Sequence, residues 1–255
     1  MNELGIFNYT IYCIKTNILY VNFKMIFLST LKIIMKIVII LASILLITSC
    51  STTSEIYKSD VPQNEVNNIV VFEPCCDLGI IESGSMIIPH KESNKKTSEH
   101  IKKFMKKYKK YFRVKEIIDL DSADVRFIKI CDYSFFNLQN ANKKKRDFAS
   151  HPIIDSILAA NNARFGLLID YSGFFRTNGN INAETAKGIV AAALIGYGSI
   201  PIESNSVLHA IIIDSQNNNI AFYRNSHLKN SSPVNTRTIE RHIIDIFDGY
   251  FPKIE

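Results

Sequence analysis

The chain reads as an α/β (α+β) protein, with a single mixed β-sheet covered by amphipathic helices and preceded by a signal peptide and a polar tether. Three stretches carry that reading. Ser98 to Phe112 places Ile101, Phe104, Met105, Tyr108 and Phe112 at i, i+3, i+4, i+7 and i+11, one apolar stripe of a helix. Thr236 to Tyr250 does the same with Ile239, Ile243, Ile246, Phe247 and Tyr250. Between them, FGLLIDYSGFF (Phe165 to Phe175) is nearly unbroken in apolar character, as a strand buried on both faces requires.

The order of elements starts with a leader. Met35 to Cys50 is MKIVIILASILLITSC: Lys36, an apolar run from Ile37 to Ile47, then Thr48, Ser49 and Cys50. A basic start, a short apolar middle and small residues at the end are the parts of a secretory signal. The run falls well short of the roughly 20 apolar residues that span a bilayer. Residues 1–34 are moderately apolar and precede a signal that is complete without them, so the expected translation start is Met35 or Met25. The alternative is a second membrane-touching segment. The organisation is then 1–49 leader, 50–68 tether and 69–255 α/β domain, with an apolar insertion near 183–202.

The tether, STTSEIYKSDVPQNEVNN after Cys50, is polar and without hydrophobic period, and is expected to be flexible. Ile69 to Phe72 reads as the first strand, closed by Pro74. Residues 77–96 are rich in turn formers, with a short strand at Met86 to Ile88. The helix at Ser98 has Thr97 or Ser98 as its cap and Glu99 in its first turn. Lys102, Lys103, Lys106, Lys107, Lys109 and Lys110 cover its other face, read either as a solvated surface or as a contact for anionic headgroups. Val114 to Leu120 and Val125 to Ile130 are strands, and Lys143 to Arg146 an exposed basic loop. His151 to Ala160 is a short helix with Pro152 in its first turn. Ser206 to Asp214 and Ile220 to Tyr223 form a hairpin joined by SQNNN, since asparagine tolerates left-handed turn conformations.

The insertion is chemically distinct. Gly188 to Ile200, GIVAAALIGYGSI, has no charge. Too short and glycine-broken to span a membrane, it is read either as a helix packed on the sheet or as a contact for membrane or partner, through Ala191, Ala192, Ala193, Leu194 and Ile195.

Charge and cysteines narrow the function classes. Net charge is +6, of which Lys15, Lys24, Lys32 and Lys36 against Glu3 place +3 in the leader. The remainder is too weakly basic to point to nucleic acid. Of the 5 cysteines, Cys13 and Cys50 belong to the leader and its end. Cys131 could bridge to Cys75 or Cys76 in an oxidising compartment, or all three could be free and buried. No His pair has HxH or HExxH spacing, so no metal and no cofactor is expected. Ser199 in GYGSIP lacks the G-x-S-x-G pattern. A set of Ser199, His209 and Asp214, or Asp170 in its place, can be drawn. His209 and Asp214 are however an odd number apart on one presumed strand and point to opposite faces. Cys75-Cys76 lacks CxxC spacing. No catalytic residue is assigned.

Ile47-Thr48-Ser49-Cys50 resembles the lipobox of bacterial lipoprotein signal peptides. The resemblance implies cleavage before Cys50, diacylation of its thiol and acylation of the new amino terminus. Attachment is then to membrane lipid, in the cell envelope and more often the outer membrane. The order of elements, with ILAANNARFGLLIDYSGFF, SVLHAIIIDSQNNNIAFYRNS and a closing helix, is similar to periplasmic lipoproteins of the TolB amino-terminal-like or CsgG-like fold over residues 68–251. It implies a non-catalytic binding or assembly module, a transport or secretion accessory with an envelope protein partner. The secretion channel of that group needs membrane hairpins with alternating apolar residues, which 183–202 lacks. The alternative function is a lipid-tethered envelope hydrolase using Ser199 or a cysteine.

Overall fold

The computed structural model describes residues 52–57, 61–119 and 151–251. Eight strands form one mixed sheet. They are β1 (Thr52–Tyr57), β2 (Ile69–Val71), β3 (Cys75–Ile81), β4 (Ile88–Pro89), β5 (Val114–Ile117), β6 (Phe165–Arg176), β7 (Ser204–Asp214) and β8 (Asn219–Lys229). The helices are α1 (Lys91–Lys107), α2 (Pro152–Ala160), α3 (Asn178–Ile195) and α4 (Thr236–Phe247). The main path through the sheet is β1-β8-β7-β6-β2-β5.

The long strand β6 is the spine. On one side it pairs antiparallel with β7 along its whole length, Phe165 opposite Asp214 and Phe175 opposite Ser204. On the other it has two parallel partners in succession. β2 runs beside its first half, with Val71 opposite Leu167, and β3 beside its second, from Cys75 opposite Asp170 to Ile81 opposite Arg176. Pro74 sits in the break, where its missing N–H costs no ladder bond.

Alternation along β6 sends Leu167, Ile169 and Tyr171 to one face and Leu168 to the other. The first face is covered by α1 and α4. Ile101, Phe104 and Met105 meet Ile239, Ile243, Ile246 and Phe247 over Leu208, Ala210 and Ile212, all buried. Phe112 stacks edge-on against Phe247 at 5.5 Å between ring centres. The second face carries a smaller cluster in which Ile154 and Leu158 of α2 cover Leu168, Ile211 and Ile213. The mixed sheet and the buried stripes of both long amphipathic helices are as the sequence predicts, with Tyr108 at the partly buried margin.

Several boundaries differ: α1 ends at Lys107 and α4 at Phe247, short of the expected Phe112 and Tyr250, and β8 runs on to Lys229. Three differences are larger. Helix α1 starts at Lys91, with His90 as its cap, accepting from the Ser93 backbone N–H at 3.3 Å. Thr97 and Ser98, the expected caps, are buried inside the helix. Polar residues fill the first two turns, so the apolar period that announces a helix begins late. β3 falls largely in a stretch read as turns: Asp77 and Gly79 interrupt its apolar residues Leu78, Ile80 and Ile81, so no clean strand period shows. The expected flexible tether is in part sheet: Thr52 to Tyr57 pairs antiparallel with β8, Thr52 opposite His227 and Tyr57 opposite Tyr223. Backbone pairing at an open edge requires no apolar pattern. The strand expected at Val125 to Ile130, the basic loop at Lys143, and Cys131 lie outside the described residues, as do the leader and Cys50.

Candidate functional site

Most of the exposed large apolar side chains lie at one end of the sheet. At that end β6 finishes at Arg176, β3 at Ile81 and β8 at Lys229, while β7 and β1 begin. Helix α3 leaves from the end of β6. Thr177 caps it, accepting from the Asn180 backbone N–H at 3.3 Å. The helix stops at Gly196, whose positive φ of 73° is the left-handed conformation that glycine adopts without penalty. Residues 197–203 then return as open chain to the start of β7.

The return lies directly on the helix. A Cβ placed on Gly188 would come within 2.3 Å of the Ser199 carbonyl oxygen, and one on Gly198 within 2.0 Å of the Gly188 carbonyl oxygen. Two glycines, ten apart in sequence, thus let one backbone rest on another where any side chain would push them apart.

The base of this arm is polar. The Arg176 guanidinium donates to the Ile202 carbonyl (2.9 Å), the Gly84 carbonyl (2.9 Å) and the Asn180 side-chain oxygen (2.6 Å). The Asn180 amide donates to the same Gly84 carbonyl at 3.1 Å. One arginine therefore ties together the start of α3, the end of the return and the tip of the β3–β4 hairpin.

Beyond that clamp the arm is apolar and uncovered. Asn180 is the buried residue of α3. Ile189, Val190, Leu194, Ile195, Tyr197 and Ile200 are all more than half exposed, Leu194 at 79% and Ile200 at 80%. Met86 and Ile87 in the adjoining hairpin are exposed as well. Of the residues singled out in sequence, Ala191 is half-buried and Ala192, Ala193, Leu194 and Ile195 are exposed. A helix packed on the sheet, one of the two readings of this insertion, is not what forms. From Gly188 to Ile195 apolar residues surround α3, and no single face could satisfy them. Among the described residues, no helix is long and apolar enough to cross a membrane.

The drawn catalytic set does not assemble. Ser199 is exposed in the return, beside Gly188. His209 lies mid-strand, roughly 17 Å of extended chain beyond Ser204. Its Nδ1 and the Tyr223 hydroxyl are 2.9 Å apart, and burial lowers its basicity. Asp214 is at the far end of β7, fully buried and gripped by the Arg164 guanidinium at 2.6 and 2.9 Å. Hydrogen bonding from Arg164 and the backbone N–H groups of Asn217 and Gln216 holds its carboxyl below the usual carboxylate range, against the opposing effect of burial. Asp170 does stand opposite His209 in register, with Cys75 on its other side and Asn225 beyond His209. That polar row crosses strands far apart in sequence, so no local motif announces it.

One further feature escaped the sequence. His242 of α4 is fully buried, with Ser206 Oγ and Ser226 Oγ each 2.8 Å from one of its ring nitrogens. A neutral imidazole donates from one nitrogen and accepts at the other, so both contacts suit the uncharged ring. Burial pushes its pKa down to about 3. Among the described residues Cys75 and Cys76 are free thiols, on opposite faces of β3, and burial raises the pKa of Cys76. Among the described residues no group of three or more His, Cys, Asp or Glu converges as a metal site would. An open polar cavity of about 900 Å³ lies at the other end of the sheet, beside Glu65, Asp155, Arg164 and Gln216.

No protein-family model and no curated protein matches the chain. Among solved structures it is similar to a PelC dodecamer from Paraburkholderia phytofirmans in space group P6, at 9% identity and a TM-score of 0.36. A point variant of that dodecamer in space group C2 gives 10% and 0.35. Each comparison covers 80% of this chain and 100% of the other. A likeness of this degree carries no functional argument.

Proposed function

We propose that this chain is a lipid-anchored, non-catalytic binding or assembly module of the bacterial cell envelope, attached through Cys50 and working through the apolar arm at one end of its sheet. The observation that carries the reading is the arm itself. Soluble monomers rarely leave a contiguous apolar patch larger than a few hundred Å² in water. Here Ile189, Val190, Leu194, Ile195, Tyr197 and Ile200 stand out together on one uncharged excursion. The polar clamp at its base supports the same reading, since Arg176 ties both ends of the arm to the β3–β4 hairpin. A rigid, preorganised contact element loses less entropy on binding than a loose one.

The lipobox supplies the anchor in this reading, and the acyl chains of Cys50 supply the affinity for the membrane. Two or more chains make such attachment stable.

The test uses the full chain expressed in a bacterial host that processes lipoproteins. The mature protein is expected to begin at an acylated Cys50 by intact mass, and Cys50→Ala to leave the membrane fraction. Leu194→Asp with Ile195→Asp is expected to weaken envelope association with no change in the unfolding midpoint. A recovered, unmodified peptide running through Ile47 to Cys50 would overturn the anchor, and unchanged association in the double variant would overturn the arm.

A further inference from the structure

We infer that the arm formed by α3 and residues 196–203 seats in the interface of the same membrane that holds Cys50, so that the protein meets the bilayer at two points on one end of its sheet. The inference rests on the anchored reading above and adds the identity of what covers the arm: lipid.

The topology carries it. β1 begins at Thr52, opposite His227, near the end of β8. β8 finishes at Lys229, opposite Asn205 at the start of β7. The arm returns into that same start of β7 and departs from the end of β6 beside it, Phe175 opposite Ser204. The strand that leads back to the acylated cysteine and the apolar arm thus share one end of the sheet. Only Ser51 separates Cys50 from Thr52, and two residues of chain reach no further than about 7 Å. An anchor on so short a lead brings that end of the sheet down to the headgroups. Six exposed apolar side chains at the same end then face lipid with no tether long enough to hold them away.

Depth follows from the backbone. Gly188 to Ile195 rises about 12 Å at about 1.5 Å per residue, less than half of a hydrocarbon core of roughly 30 Å. Residues 197–203 are neither helix nor strand, and open backbone does not enter hydrocarbon unprotected. The arm therefore lies in the interface, its side chains reaching the upper acyl chain about 5–10 Å deep, and does not span. No charged residue occurs from Gly188 to Ile202 to resist that position.

The chain has no tryptophan, so a single substitution is a clean optical reporter. Leu194→Trp reports from the arm and Gln216→Trp from the β7–β8 turn at the other end of the sheet; both positions are exposed. Each full-chain variant, purified from the processing host, is reconstituted in phosphatidylethanolamine–phosphatidylglycerol vesicles with and without lipid brominated on the acyl chain. Leu194→Trp is expected to shift to the blue and lose most of its emission to bromine near the headgroup, and less to bromine near the chain end. Gln216→Trp is expected to keep its emission. An unquenched Leu194→Trp, or equal quenching of both, overturns the inference. So does a blue shift of Leu194→Trp that rises with protein concentration in detergent and is not quenched in vesicles, which assigns the arm to a second copy. The acylation state of Cys50, read by mass in the same preparations, keeps the two ideas apart. An acylated Cys50 with an unquenched arm sinks the seating alone, and an unmodified Cys50 with a quenched arm sinks the anchor alone.

Discussion

Helices α3 and α4 both follow strands that finish at the same end of the sheet, and they use apolar residues in opposite ways. In α4, Ile239, Ile243, Ile246 and Phe247 share one face with His242, and all are buried. In α3, Ile189, Val190, Leu194 and Ile195 surround the axis and all are exposed. The difference is one of arrangement more than of composition. A stripe can be satisfied by a single neighbour, and α4 finds one in α1 and the sheet. An all-round helix needs a surrounding medium, and among the described residues only a glycine-seated return segment lies on one side of it. The contrast teaches that hydrophobicity drives folding only when its period matches a surface the fold can offer.

The contrast can be broken in four places, taken from the largest effect to the smallest. Phe247→Ala is expected to cost about 3–5 kcal/mol in chemical denaturation, since it opens a cavity among Phe112, Phe222 and Phe251. A cost below 1 kcal/mol would mean that α4 is not part of the core.

The second test is pH. His242 is neutral in the fold, with its pKa lowered from 6.5 to about 3. Above about 6.5 neither folded nor unfolded chain holds a proton there. Between about 6.5 and 3 the unfolded chain binds one and the folded chain does not, so stability falls as pH falls. Linkage gives about 2 kcal/mol lost by pH 5 from this group. His242→Asn is expected to flatten that slope in denaturation curves taken across the range. An unchanged slope would show that the ring is protonated in place.

Third, Gly198→Ala puts a methyl group where the Gly188 carbonyl oxygen already lies. The return is expected to lift off α3 and become open to limited proteolysis between residues 196 and 203. The global unfolding midpoint should fall by less than in Phe247→Ala. Equal falls in both would show that the arm folds as one unit with the core. Smallest of all, Leu194→Ala in the isolated monomer is expected to stay within about 0.5 kcal/mol of the parent, as exposed substitutions do. A loss comparable to Phe247→Ala would erase the distinction between the two helices.

Local pattern accounts for what the residues alone determined. The stripes of α1 and α4 announce themselves at spacings of three to four residues, β6 as a nearly unbroken apolar run, α2 by its proline start and the β7–β8 hairpin by its asparagine-rich turn. They do so because each element must hide one face or both, and its own sequence carries the pattern. The uncharged run from Gly188 is equally local.

What only the tertiary structure decided is whatever depends on residues distant in sequence. Whether α3 packs or protrudes turns on Gly188 meeting Ser199, on Arg176 reaching Gly84 and Ile202, and on the lack of a matching surface. The pairing of β1 with β8 uses backbone groups that every residue has, so no side-chain pattern foretells it. His242 between Ser206 and Ser226, and Asp170 opposite His209, are brought together by strand register. Register is set by the packing of whole faces, and a single residue's neighbours across the sheet cannot be read until those faces are placed.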